Sequence, residues 1–256
     1  MNTTNSISNE YLKETDMLDF NHQAIQALVE QHGWQALNRY DAIGAIYDFV
    51  RDDITFGYNR DDRISASQVL NDGYGQCNTK GTLLMALFRA VGIETRFHGF
   101  TIFNALQRGA IPNYLFAFAP ERIIHSWVEV KYEDEWINLE GYIIDRKYLN
   151  KVQRSFSDQC NDFSGFGIAT RCLSNPEVEW KGEHTFIQSE GIADDFGVYD
   201  QPDEFYERFG SNLTGIKKLL FRYLLRHLMN WNVAIIREFG VRNMLKSIDR
   251  ERKKHT

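Results

Sequence analysis

The apolar rhythm of this chain changes at Gly92, and that change restricts the fold more than any other feature. Before it, apolar residues recur at helical spacing in Tyr40 to Asp53 (Ile43, Ile46, Tyr47, Phe49, Val50). Asn21 to Gln31 also reads as helix, and Asp41 is placed to help start the second one. After a polar loop at Gly57 to Arg63, Ser65 to Asp72 reads as a short helix stopped by Gly73 and Gly75. Cys77 to Val91 carries Leu83, Leu84, Leu87, Phe88 and Val91 on one stripe, with Gly92 as terminator. Beyond Gly92, the segments Ile93 to Ile102, Ile123 to Tyr132 and Glu135 to Ile144 have strand composition. The last two flank Glu133-Asp134, so a hairpin is the simplest connection. Helices followed by an antiparallel sheet make an α+β domain.

From Asp145 the pattern becomes irregular and aromatic, with a short helix at Asp203 to Arg208. A long helix follows from Gly215 to Phe239. Its stripe of Ile216, Leu219, Leu220, Tyr223, Leu224, Leu228, Trp231 and Ile235 is expected to pack on the body, with a homodimer as the other use. The 256 residues therefore divide into a helical lead-in (1–37), a core (38–150) and a C-terminal extension (151–256).

Charge is uneven. Ser211 to Thr256 holds 11 basic and three acidic residues, a local charge of +8 that leaves −14 on the rest of the chain. A basic helix docking on an acidic body accounts for this without a nucleic-acid partner. The polar start lacks a signal-peptide pattern and no apolar run is long enough to span a membrane, so a cytoplasmic location is expected. Three cysteines argue for free thiols in a reducing compartment rather than a disulfide framework. Cys160 and Cys172 have no nearby histidine pair, which counts against zinc, and Gly73-x-Gly75 lacks the Lys-Ser/Thr of a phosphate loop. Asp194-Asp195 reads as a solvated turn, with a cationic-substrate contact as the alternative.

One cysteine stands apart. Cys77 follows a glycine-containing turn and opens an apolar helix, where the helix dipole and unpaired N–H groups favour a thiolate and a developing oxyanion. His125 begins an alternating strand whose other members on its face are Trp127 and Glu129. If the hairpin turns at Glu133-Asp134, Trp127 lies opposite Glu140 and His125 opposite Tyr142. Glu140 is then a diagonal neighbour of His125, and Asn138 competes for that place.

Gly73 to Phe97, GYGQCNTKGTLLMALFRAVGIETRF, resembles the nucleophile segment of the transglutaminase-like superfamily. His125-Ser-Trp-Val-Glu-Val and Trp136-Ile-Asn-Leu-Glu140 resemble its histidine strand and its tryptophan–acid strand. Val50 to Phe56 and Ala66 to Leu70 fit its lead-in, so the likeness covers roughly 38–145. The resemblance implies a papain-like core in a bacterial-type stand-alone member. It assigns Cys77 as nucleophile, His125 as base and acid, and Glu140 as orienting acid where the family usually has aspartate. It further implies a thioester acyl-enzyme resolved by water or by an amine, with hydrolysis of an amide or isopeptide ranked first and no cofactor or metal. The substrate would be an amide-containing small molecule, peptide or protein. Gln76 and Tyr58 are candidates for a further oxyanion contact, and Trp127 and Tyr142 for the substrate wall. A peptide-binding scaffold that keeps this core without chemistry is the non-enzymatic alternative.

Overall fold

The computed structural model describes residues 10–116, 119–156 and 162–241. Each early helix starts at a polar cap, and the first and third end at a left-handed glycine. Helix α1 is Gln23–His32, and α2 is Arg39–Asp52. The cap of α2 is Asn38, whose side chain accepts the Asp41 N–H, so Asp41 is the capped residue and not the cap. Strand β1 (Thr55–Phe56) precedes α3 (Ala66–Asp72), which Ser65 caps and which Gly73 ends at φ 70°. The two-residue strand β2 (Tyr74–Gly75) pairs in parallel with β1 and delivers the chain into α4, Cys77–Ala90.

Helix α4 is the centre of the molecule. Every residue from Cys77 to Arg89 is buried, so the helix is enclosed on all sides and not along one stripe. It packs against α2, α3 and the main sheet. That sheet uses β3 (Thr95–Phe103), then, after the one-turn helix α5 (Asn113–Phe116), β4 (Arg122–Tyr132) and β5 (Glu135–Leu139). The hairpin turns at Glu133 and Asp134, both with positive φ (46° and 64°), the geometry of a type I′ turn. It pairs Val128 with Leu139. Strand β5 stops there, short of the expected Ile144. Leu139 bridges to Thr185, and residues Gly141–Ile143 form a 3-10 turn, so Tyr142 is not opposite His125 in the sheet; Phe100 is.

The extension is more regular than its sequence suggested. Asp145 caps α6 (Arg146–Ser155) by accepting the Tyr148 N–H at 2.9 Å. A small hairpin, β6 (Phe163–Gly165) and β7 (Ile168–Thr170), leads to β8 (Ile192–Tyr199), which joins the edge of the main sheet beside β3 to give the order β5-β4-β3-β8. Asp194 and Asp195 therefore belong to a strand. Asp194 pairs with Arg122 and Thr101, and Asp195 with His98. Glycine and two acids masked that strand's alternation. Cys172 is disulfide-bonded, which corrects the expectation of free thiols: an odd count leaves room for one bridge beside one free cysteine, here Cys77. The cysteine count thus no longer argues for a reducing compartment. Cys160 and most of the basic C-terminal segment lie outside the described residues.

Helix α7 (Pro202–Phe209) packs its Phe205 and Tyr206 into the core. Helix α8 (Gly215–Leu220), a π turn (Phe221–Leu225) and α9 (Arg226–Phe239) then run on as one arm. The arm packs through Phe221, Leu225, Leu228, Met229, Val233 and Ile236. Much of the expected stripe faces outward instead: Ile216 is 82%, Tyr223 71% and Trp231 65% exposed. The arm has apolar residues on two sides, and periodicity alone does not choose between them. A homodimer through this helix would use the outer line. No helix among the described residues is long and apolar enough to cross a membrane.

The arm is fastened to the body through Arg237. Its guanidinium donates to Asp145 at 2.8 Å and to the Phe56 carbonyl at 2.6 Å. Burial raises the Asp145 pKa, but the hydrogen bond and charge of Arg237 outweigh it and hold the carboxyl below its ordinary 3.8. Its stabilising contribution is therefore complete above about pH 4 and is lost as pH falls through the lower folded value. Asp145→Ala is expected to cost about 3–5 kcal/mol in urea denaturation at neutral pH, because it strands a buried guanidinium. Asp145→Asn should remove part of the acid-side fall in stability.

Candidate active site

The start of α4 requires glycine beside it. A Cβ on Gly75 would lie 2.7 Å from Thr79 Oγ1 and 2.9 Å from Lys80 Cγ, too close for any side chain. With that approach allowed, a shell of buried polar groups fixes the first turn. Gln76 donates its N–H to Thr79 Oγ1, and Thr79 donates to Asn59 Oδ1 at 2.6 Å. One turn on, buried Lys80 donates to the carbonyls of Arg51 and Ile143, both at 3.1 Å. Burial lowers its pKa to about 7, against the pull of Asp145 and Asp52.

Asn78 sets the position of Cys77 against β4. Its Nδ2 donates to the Ile124 carbonyl and to Asp62 Oδ1, each at 3.1 Å, and its Oδ1 accepts from Ser126 Oγ at 3.0 Å. The residue after Cys77 thus grips the strand on both sides of His125. Tyr142 completes the hold by donating its hydroxyl to the Cys77 carbonyl at 3.2 Å.

His125 is fully buried, and its Nε2 lies 2.8 Å from Glu140 Oε1. The second oxygen of Glu140 accepts the N–H groups of Ile187 at 2.9 Å and Gln188 at 2.8 Å. Among the described residues His125 Nδ1 has no partner other than the neighbouring Cys77. Burial disfavours the imidazolium, but the charge of a Cys77 thiolate and the Glu140 carboxylate overcome that and push its pKa up to about 10. In chemical terms the arrangement is a thiol, an imidazole and a carboxylate in series, with the free N–H groups of a helix start at the thiol end.

The thiol, 8% exposed, opens onto a cleft of about 990 Å³, part of it continuous with solvent. Tyr58, Gln76, Gln107, Asp62 and Asn212 are among its lining residues. Of the other sequence candidates, the Asn138 side chain makes no hydrogen bond to His125 among the described residues; its N–H donates to His184 Nδ1. The Gln76 amide is spent on Asp62 at 3.0 Å, and the Tyr58 hydroxyl donates to Gln107 Oε1 at 2.7 Å. Trp127 and Tyr142 are not among the cleft residues. Trp127 instead packs against Phe100 and Phe186, and Tyr142 lies beneath the helix start. Asn78 and Asp62 were not anticipated. The only sequence signal for Asn78 is a poor helix former at the second position of an apolar helix.

A model of the transglutaminase-like superfamily matches residues 26–141. Residues 26–141 thus carry a transglutaminase-like core. Among solved structures, a protein from Cytophaga hutchinsonii provisionally described as a cysteine protease aligns at 15% identity with a TM-score of 0.43, over 76% of this chain and 47% of that one. The chain thus spans about half of that protein's length. No curated protein matches it. The transglutaminase-like match ends at residue 141, so Ile187 and Gln188, which hold Glu140, come from outside it.

The elevated His125 pKa yields a direct test. NMR titration should find the ring protonated far above its ordinary 6.5, with Cys77→Ser and Glu140→Gln each lowering the midpoint. The matching stability is complete below 6.5 and disappears as pH rises through about 10.

Proposed function

We propose that this protein is a cysteine-dependent amide or isopeptide hydrolase that works through a thioester. The observation that carries the reading is the buried 2.8 Å contact of His125 with Glu140, with the other ring nitrogen left to Cys77. The Cys77 thiolate attacks the carbonyl carbon, and the electron pair of the C=O bond moves to oxygen. First-turn N–H groups of α4 stabilise that oxyanion. His125 passes its proton to the departing nitrogen as the C–N bond breaks, leaving a thioester and a free amine. The neutral imidazole then takes a proton from water as the hydroxide adds to the thioester carbon, the C–S bond breaks, and the acid departs with the thiolate and imidazolium restored. Glu140 keeps the ring oriented and stabilises its charged form throughout. An amine taking the place of that water would make the same site a transamidase.

Glutamate can fill the place usually held by aspartate because two backbone N–H groups fix its far oxygen. In this reading the extension (151–256) is part of the site, since residues 187 and 188 complete it.

The test is the pH dependence of Cys77 alkylation, followed by mass spectrometry. Selective modification below about pH 7 is expected, lost in His125→Ala, while a free thiol reacts with a pKa near 8.5. Reaction at the free-thiol rate would favour the scaffold alternative. Once an amide substrate is found, Cys77→Ala should abolish turnover, and Glu140→Ala should lower kcat on the order of 10³–10⁴-fold. Glu140→Gln should also draw the alkaline limb of kcat/KM to lower pH, because the imidazolium loses one source of its stability. Added amines diverting product from acid to amide would identify the transamidase form.

A further inference from the structure

The cleft above Cys77 is closed on one side by the C-terminal arm, whose contribution is apolar apart from Lys218. Phe221, Leu225 and Met229 succeed one another at intervals of four along one helix face and line the cleft, opposite Ile102, Ile111 and Leu115 of the body. Apart from Arg60, the charged lining residues are already engaged. Asp61 binds Lys218 at 2.7 Å and Arg222 at 3.1 Å. Asp62 accepts the amides of Gln76 at 3.0 Å, Asn78 at 3.1 Å and Asn212 at 3.1 Å. Arg60 is exposed at the rim. A charged group passing that rim would lose its water and find the remaining charges already engaged, whereas a large apolar group would only gain from leaving water.

The apolar wall is held in place before any ligand arrives. Asn212 accepts the Ile124 N–H at 2.6 Å while donating to Asp62. Asn230 accepts the Tyr58 N–H at 2.7 Å and donates to the Tyr58 carbonyl at 3.1 Å. A wall pinned at both ends costs little ordering when an acyl group binds, and it can select by shape.

We propose that the cleft is an acyl-group site for a large, uncharged, apolar substituent next to the scissile carbonyl, and that Phe221, Leu225 and Met229 set this preference. The proposal rests on Cys77 as the nucleophile. It makes the arm the specificity element of the enzyme, acting with its inner face only.

Chloromethyl ketones of formula R–CO–CH2–Cl test it without a known substrate. The thiolate displaces chloride, forming one C–S bond and breaking one C–Cl bond, and R occupies the acyl side. The second-order rate of labelling at Cys77 is measured by mass spectrometry with R as methyl, isobutyl, phenylethyl, carboxyethyl or aminoethyl. The isobutyl and phenylethyl reagents are expected to react about tenfold or more faster than the methyl, carboxyethyl and aminoethyl ones. Leu225→Ala and Met229→Ala should erase most of that ratio by slowing the isobutyl and phenylethyl reagents. Ile216→Ser, on the outer face of the same arm, should leave the ratio unchanged. Charged or methyl reagents reacting as fast as the apolar ones would overturn this inference alone, as would an unchanged ratio in both alanine variants. If the methyl reagent labels Cys77 no faster than a free thiol, the nucleophile assignment fails and this inference with it.

Discussion

The side chain of Asn78 is the constraint on which the site depends. One amide reaches two points of β4, at residues 124 and 126, and a buried carboxylate at Asp62. A helix start and a strand that meet only through apolar contact can slide by a fraction of a residue at little cost, because dispersion is weakly directional. Hydrogen bonds in a dry interior are directional, and leaving such a group unpaired costs about 1–3 kcal/mol. The grip therefore fixes Cys77 and His125 relative to each other to within the tolerance of a hydrogen bond. Tyr142 and Lys80 brace the same turn from the opposite side.

Rigidity and charge act together here. The polar shell beneath Cys77 includes Asn59, Gln76 and Thr79, whose partners lie in the same short stretch of chain before and at the start of α4. Because the shell satisfies its own groups, it leaves few competitors for the imidazole, whose free nitrogen remains available to the thiol. A buried ion pair of this kind is weak evidence for stability, since desolvation offsets the attraction. Its value lies in chemistry: the imidazole is held by its carboxylate and aligned before substrate binds.

Local features were readable where local physics decides. The caps at Ser65, the left-handed exit at Gly73 and the turn at Glu133-Asp134 follow from side chains acting within four residues of themselves, and so does the start of α4. The pairing of His125 with Glu140 followed from the hairpin register, which the turn sets. What remained hidden depended on distant partners. Strand β8 carries glycine and two acids, and only its pairing with β3 makes it a strand. The truncation of β5 at Leu139 reflects Thr185, some 45 residues away, whose hydroxyl accepts the N–H groups of both Glu140 and Gly141. The arm's inner face was misjudged because two apolar lines run along one helix, and which one is covered depends on the body's shape.

The anchoring of Glu140 by Ile187 and Gln188 has a bearing on how such proteins diverge. Both contacts are made by main-chain N–H groups, so the acid recognises a path of the chain and not the side chains along it. Positions 187 and 188 can drift through any residue that packs there, proline excepted, without weakening the hold. Relatives that preserve this support need share no letters with it. An alignment built on identities would not register this support, because the path of the main chain carries it.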